Sequence, residues 1–317
     1  MELKKEVLAT MFYRMNQSRF FDMKVNALYN QKRIAENIHL SVGQEASAVA
    51  ACMAMSEGDR IIMSHRHHAQ AIGSGMEAHK MMADLMGKAG GTNNGKGGSV
   101  FAGGDGNLGA FNQPDMGYTA ACGVALSQKL SGTGGCVLCF GGDGTSNDGD
   151  FHEALNVASV MKLPVLFFIE NNGYAGSTPV SKTMKPEKLS DRALAYGIPG
   201  LTIDGNDALE VYETVKSASD LARGGEGPVL IESFTYRTCG HDGGDLQLYR
   251  SQNEVAEWAA YDPIALLKAQ LIEERILPEG ILDKLAQNAE QSIEDALTYA
   301  EQAPEPVMDS VIEHVFA

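Results

Sequence analysis

Apolar residues at Val7, Met11, Met15, Phe20 and Leu28 recur at helical spacing and predict a helix over about residues 2–30. Ser41 followed by Gln44 has the form of a capping box opening an alanine-rich helix that runs through Met55. Arg60-Ile-Ile-Met63 predicts a short strand, and residues 76–86 a further helix. From Gly90 to Gly109 the pattern dissolves into glycine, which predicts an ordered loop rather than a domain boundary. Residues 116–130 return to helix, with Gly117, Ala120, Ala121, Gly123 and Ala125 as small residues for close packing.

The middle of the chain then changes period. Cys136–Phe140 and Val165–Ile169 are unbroken apolar runs, which suit strands covered on both faces. Between them Phe151, Ala154, Leu155 and Ala158 fall on one helix face. Strands over 200–203 and 229–235 flank a helix over 207–222, and two amphipathic helices between 263 and 300 join near Pro278. Strand and helix alternate, so the expected fold is α/β: a mainly parallel sheet flanked by helices. The expectation is one domain over 1–317, with an N-terminal helical segment (about 1–35) and C-terminal helices (about 263–317).

Composition narrows the partners. At 317 residues and 44% hydrophobic, the chain can bury a large core. A formal charge of −16 leaves no basic stripe for nucleic acid or an anionic membrane. No apolar run is long enough to span a bilayer, and Met1-Glu-Leu-Lys-Lys5 carries no signal sequence, so the expected location is the cytoplasm. Five cysteines without framework spacing agree with a reducing compartment. Cys136-x-x-Cys139 has redox-motif spacing, but inside an apolar strand it predicts two core residues.

The chemistry concentrates where the two apolar strands end. Gly142-Asp143-Gly144 closes the first, and Asn171-Asn172 closes the second, Asn171 standing 28 positions after Asp143. A right-handed crossover brings both ends to one edge of the sheet. Asp143, Asn172 and the Tyr174 carbonyl then form a half-shell of hard oxygens suited to magnesium, which takes its remaining ligands from phosphate and water. Gly144 and Thr145 can bring backbone amides to a phosphate oxygen near the start of the helix at about Asp150. A lone GDG is an ordinary turn. Gly104-Asp105-Gly106 is a second one, and 28 positions after Asp105 stands Thr133. Only the first has the paired asparagines and both strands.

With that spacing the segment resembles the thiamine diphosphate motif of the alpha subunits of acetoin and 2-oxo acid (pyruvate, branched-chain) dehydrogenase complexes. The likeness runs from about Phe12 to the last helices. It includes Ser41-Val-Gly-Gln-Glu-Ala46, Ser64-His-Arg-His-His68, Gly95-Lys-Gly-Gly-Ser99, Gly106-Asn-Leu-Gly109, Tyr236-Arg-Thr-Cys-Gly-His241 and Tyr249-Arg250. The resemblance implies a thiamine-diphosphate-binding fold, with thiamine diphosphate and magnesium as cofactors. It implies Asp143, Asn172 and Tyr174 as metal ligands. It adds His65, Arg66, Gly106, Leu108, Gly144, Thr145, Arg237 and His241 as cofactor-binding residues, with Gly106 and Leu108 facing the aminopyrimidine ring. His241 and His68 are the candidate catalytic residues. The histidines of residues 64–68 lack a carboxylate or cysteine to complete a zinc set. Val100-Phe101, Ala69 and Gly176 depart from the family pattern; relatives carry a larger side chain at the last position.

Glu45 lies in the first turn of a helix, where a carboxylate offsets the dipole without further purpose. The family's activating glutamate comes from a separate beta subunit, so this chain is expected to form half an active site in an assembly of two alpha and two beta chains. The implied activity is cleavage of acetoin or a 2-oxo acid, with transfer of the acyl unit to a lipoyl acyltransferase. The alternatives are a carboligase or dye-linked oxidoreductase without a lipoyl partner, or a non-catalytic assembly subunit. The loop 237–250 is expected to be ordered only with cofactor and beta subunit present, because two contacts, from Arg237 and His241, cannot hold it.

Overall fold

The computed structural model describes residues 3–99, 103, 106–111 and 116–313. Val100, Phe101, Gly104 and Asp105 lie outside the described residues. The chain opens with α1 (Lys5–Asn30) and α2 (Glu45–Ala54), then β1 (Arg60–Met63), α3 (His68–Gly73), α4 (Ala78–Leu85), β2 (Asn107–Ala110) and α5 (Met116–Ser131). The central unit is β3 (Val137–Gly142), α6 (Gly149–Val160) and β4 (Val165–Asn171). A small antiparallel hairpin, β5 (Tyr174–Ala175) and β6 (Thr178–Pro179), and α7 (Val180–Thr183) follow. The chain ends with β7 (Gly200–Asp204), α8 (Ala208–Leu221), β8 (Val229–Phe234), α9 (Gln252–Ala259), α10 (Pro263–Glu273) and α11 (Glu279–Gln302).

Among the described residues six strands form one sheet in the order β2-β1-β3-β4-β8-β7, every neighbouring pair parallel. After β1 the chain winds outward to β2 and then back to β3, so the order reverses between β1 and β3. Crevices for ligands open at such a reversal, beyond the carboxyl ends of the strands.

Helices cover both faces. Leu138, Phe140, Leu166 and Phe168 face a layer that includes α1, α2, α8 and α11, while Val137, Cys139, Val165 and Phe167 face α5 and α6. Successive strand residues point to opposite faces, which explains the uniform apolar runs. It also disposes of the CxxC spacing: Cys136 and Cys139 are both buried, but they belong to opposite layers of core. On α5 the small residues divide. Gly117, Ala121 and Ala125 are buried, with a side chain at Gly117 meeting Ile62, whereas Gly123 is exposed.

Three expectations change. The Gly90–Gly109 stretch is not all loop, because Asn107–Ala110 adds an edge strand to the sheet. Four residues with glycine at 109 carry too little periodicity to be seen. The capping box at Ser41 and Gln44 does not form: α2 starts at Glu45 with no side-chain cap, and the Gln44 amide is bonded to Asn172 instead. Glu45 is not a spare first-turn carboxylate. It is buried, holds Arg19 in an ion pair and accepts from the Gly43 N–H at 3.0 Å. No described helix is long and apolar enough to cross a membrane.

Candidate functional site

Asp143 follows β3 and Asn172 follows β4, and the Gly142–Glu170 pairing in the sheet sets those two strand ends side by side. The end of β3 and the turn after it each need a glycine. A side chain at Gly141 would overlap the Tyr118 hydroxyl, which bonds Thr145 Oγ1 at 2.7 Å, and one at Gly144 would meet Ala175 of the hairpin. Arg192 holds the far side of the turn through Ser146 and Asn147. The Asn172 side chain is oriented from both ends: its Nδ2 donates to Gln44 Oε1 at 3.2 Å, and its Oδ1 accepts from the Tyr174 N–H at 3.2 Å.

These residues line a cavity of about 450 Å³ together with His39, His65, Arg66, Gly142, Gly144, Thr145, Asp148, Tyr174, Ala175, Gly176, Arg237 and His241. Of the residues picked from the sequence it gathers His65, Arg66, Asp143, Gly144, Thr145, Asn172, Tyr174, Arg237 and His241. Gly106 and Leu108 are not brought to it. Gly106 precedes β2 and lines a separate cavity with Ser56 and Asp59, and Leu108 is exposed on the edge strand. His68 also stands outside the lining. It begins α3, buried, with Nδ1 2.6 Å from Asp22 Oδ1 of α1.

The cavity walls carry unusual charge. Arg66 and Arg237 are both buried. Arg66 donates to the carbonyls of Leu40 and His241, and Arg237 to Cys239 and Gly176 carbonyls and the Tyr249 hydroxyl. Among the described residues neither has a carboxylate within ion-pair distance. Burial, together with the charge of Arg237, pulls the Arg66 guanidinium down to about 10. Across the cavity Asp143 is 2% exposed, and its Oδ2 has no hydrogen-bond partner among the described residues. Burial pushes its carboxyl up to about 6, against backbone N–H contacts from Asp143 and Asn172 that favour the ionised form.

The imidazoles answer to the arginines. His241 Nδ1 lies 3.4 Å from Arg66 Nη2 and 3.2 Å from Arg237 Nη1. Two guanidiniums only donate, so Nδ1 must be the unprotonated nitrogen and the ring proton sits on Nε2. Burial first, then Arg66, holds His241 down to about 4. His65 and His39 are also lowered, chiefly by burial, and the Nδ1 of His65 is buried without a partner.

His39 is the one imidazole lining the cavity that the sequence does not single out. Its Nδ1 sits 2.9 Å from the His241 carbonyl, and its ring centroid is 4.9 Å from that of His241. It lies between helices in an irregular segment, so no period marks it, and only the crossing of two distant loops brings it here. The loop 237–250 is better tied than two contacts allow. Arg250 donates to the Arg237 and Cys239 carbonyls, Asp245 accepts from His241 N and the Tyr249 hydroxyl, and Arg237 reaches Tyr249. The premise that Arg237 and His241 alone must hold it is corrected.

The donor set fits a magnesium-bridged diphosphate. The set pairs a buried carboxylate oxygen without a partner and an oriented amide oxygen with two guanidiniums lacking counter-carboxylates. Among the described residues no group of three or more His, Cys, Asp or Glu could hold a metal, so a metal here needs oxygen ligands from amide, backbone and bound anion.

Comparison with known proteins agrees with this class of site. The dehydrogenase E1 component family matches residues 13–309, and the chain belongs to that family. It is 39% identical to the alpha subunit of acetoin:2,6-dichlorophenolindophenol oxidoreductase of Bacillus subtilis (strain 168), over 100% of this chain and 95% of that protein. It is 37% identical to the pyruvate dehydrogenase E1 component subunit alpha of Zymomonas mobilis, over 98% of this chain and 89% of that one. The acetoin:2,6-dichlorophenolindophenol oxidoreductase alpha subunit of Cupriavidus necator is 36% identical over 99% and 95%. The expected membership among dehydrogenase alpha subunits is borne out, and the family generally uses thiamine diphosphate and magnesium. Relatives named as alpha subunits imply a beta-subunit partner within a dehydrogenase complex.

Proposed function

We propose that this chain is the alpha half of a thiamine-diphosphate- and magnesium-dependent dehydrogenase that cleaves acetoin or a 2-oxo acid. In this reading the acyl unit passes to a lipoyl group on a partner acyltransferase, in an assembly of two alpha and two beta chains. One observation carries it: among the described residues, two buried guanidiniums without carboxylates and one buried carboxylate oxygen without a donor line the same cavity. An anion joined to a cation satisfies both sides at once.

Asp143, Asn172 and the Tyr174 carbonyl would hold the magnesium, and Arg66 and Arg237 the phosphate oxygens, Arg through its forked donors. Backbone amides at Gly144 and Thr145 would complete the phosphate cradle. When bound, thiamine diphosphate supplies a nucleophilic thiazolium carbon and an electron sink for the bond that breaks. His241, neutral with its proton on Nε2, is suited to donate to a substrate oxygen, and its basicity would rise once phosphate drew the two guanidiniums away from Nδ1. His68, held by Asp22, stands outside the cavity lining, which leaves His241 as the candidate for proton handling that reaches the cavity. The glutamate that activates the cofactor would come from the beta subunit.

A second reading, turnover to a soluble acceptor without a lipoyl partner, has support from two features. Two of the relatives are named for a dye acceptor, and the cavity is open at Gly176, where an added Cβ would meet nothing within 4 Å. The test is to purify the chain with its beta subunit, add thiamine diphosphate and magnesium, and supply acetoin, pyruvate and branched 2-oxo acids with and without lipoamide. Cofactor-dependent turnover that requires lipoamide is expected. Turnover indifferent to lipoamide would favour the second reading, and tight cofactor binding with no turnover would mark a non-catalytic subunit.

A further inference from the structure

Helix α9 presents a puzzle in packing. None of its residues is buried, yet it stands beside the cavity. Its anchor is polar and aromatic. Glu254, in the first turn after the Ser251 cap, accepts on one carboxylate oxygen from both the Tyr174 hydroxyl and the Tyr236 hydroxyl, each at 2.7 Å. One turn further on, Trp258 stacks on the Tyr236 ring, with centroids 5.0 Å apart and planes 2° from parallel. Arg250 closes the group. Its guanidinium carbon lies 5.1–5.8 Å from the ring centroids of Tyr236, Tyr249 and Tyr174, and it donates to the Arg237 carbonyl.

We infer that Glu254 is a positioning residue for the metal half-site, acting through Tyr174. The inference rests on the proposed magnesium site. Tyr174 has two ties that matter there: its backbone N–H holds the Asn172 amide oxygen, and its hydroxyl is held by Glu254. Fixing the ring at its far end fixes where the Tyr174 backbone sits, and with it both the carbonyl and the Asn172 amide that the metal would use. The hairpin itself is short, with two residues in each strand, and needs such an external tie. The Arg250 bond to the Arg237 carbonyl joins the same clamp to the residue placed on the phosphate. Partners behind metal ligands are worth about 10–100-fold in metal affinity.

The chain contains one tryptophan, Trp258, so a signal is built into the clamp. The experiment uses the alpha–beta complex, either with a tryptophan-free beta subunit or with difference spectra against a Trp258→Phe complex. Magnesium is titrated in the presence of thiamine diphosphate while Trp258 emission and metal affinity are recorded. The wild type is expected to show a saturable change in Trp258 emission. Glu254→Ala is expected to weaken magnesium affinity about tenfold or more, with a smaller change in kcat than in the apparent magnesium constant. Glu254→Gln, which keeps an acceptor oxygen for both hydroxyls, is expected to recover most of that loss. Circular dichroism of each variant guards against simple unfolding. Glu254→Ala that binds magnesium as tightly as wild type, or a loss equal in Glu254→Gln, would overturn the inference while leaving the site itself intact. No magnesium-dependent cofactor binding even in wild type would instead defeat the proposed function on which the inference rests.

Discussion

Asp143→Ala is expected to abolish retention of thiamine diphosphate and magnesium while leaving the chain folded. The carboxylate is the one anionic group proposed as a direct ligand, and neither Asn172 nor a backbone carbonyl can replace its charge toward a divalent ion. The fold should survive because Asp143 contributes little to it in the metal-free state: its Oδ2 is buried without a partner. Burial raises the carboxyl to about 6, against an unfolded value of about 3.9. A group raised on folding supports the folded state below its unfolded value and loses that contribution as pH rises through its folded value. In the metal-free chain this amounts to about 3 kcal/mol lost between roughly pH 4 and 6. Asp143→Asn should therefore be at least as stable as the metal-free wild type at pH 7, and magnesium with cofactor should stabilise only the wild type. Gel filtration followed by cofactor assay, with thermal melts beside it, checks both halves. Magnesium-dependent activity at the wild-type level in Asp143→Ala would remove the assigned metal site.

The second large effect is expected at Arg66. Arg66→Met should weaken thiamine diphosphate binding by about 10–100-fold, the loss of one charge-assisted contact worth roughly 1.5–3 kcal/mol. Stability should fall less than for an ordinary buried arginine. Its removal relieves repulsion from Arg237, which offsets part of the cost of taking one donor from each of the Leu40 and His241 carbonyls. The same variant frees His241 from one of its two guanidinium neighbours, so the His241 ring should titrate above the value of about 4 that holds with Arg66 present. Equilibrium dialysis of the cofactor and a histidine NMR titration read the two effects separately. Unchanged affinity would show that Arg66 does not meet the phosphate.

Much of this was legible in the chain because parallel strands covered on both faces write themselves as apolar runs. Cys136–Phe140 and Val165–Ile169 mark β3 and β4, and the motif at their ends needs only the right-handed crossover to bring Asp143 and Asn172 together. The arginines and His241 came from resemblance, not from any period. Other features depend on contacts between segments far apart in sequence. Gln44 spacing suggested a helix cap, but the side chain serves Asn172, more than a hundred residues away. Glu45 reads from the sequence as dipole compensation, whereas in the fold it pairs with Arg19. His39 and the short edge strand β2 carry no local signature. The clamp on Tyr174 comes from a surface helix whose residues are all at least partly exposed, and exposure in the sequence pattern hides an anchor made of one carboxylate and one indole.

The central claim is that the cavity beyond β3 and β4 holds a diphosphate through a metal. Calorimetric titration of thiamine diphosphate into the alpha–beta complex, with magnesium and again with the metal chelated, tests it most directly. Saturable binding, one cofactor per alpha chain, that disappears on chelation is the predicted result. Binding of equal strength without magnesium, or none under either condition, would contradict the account.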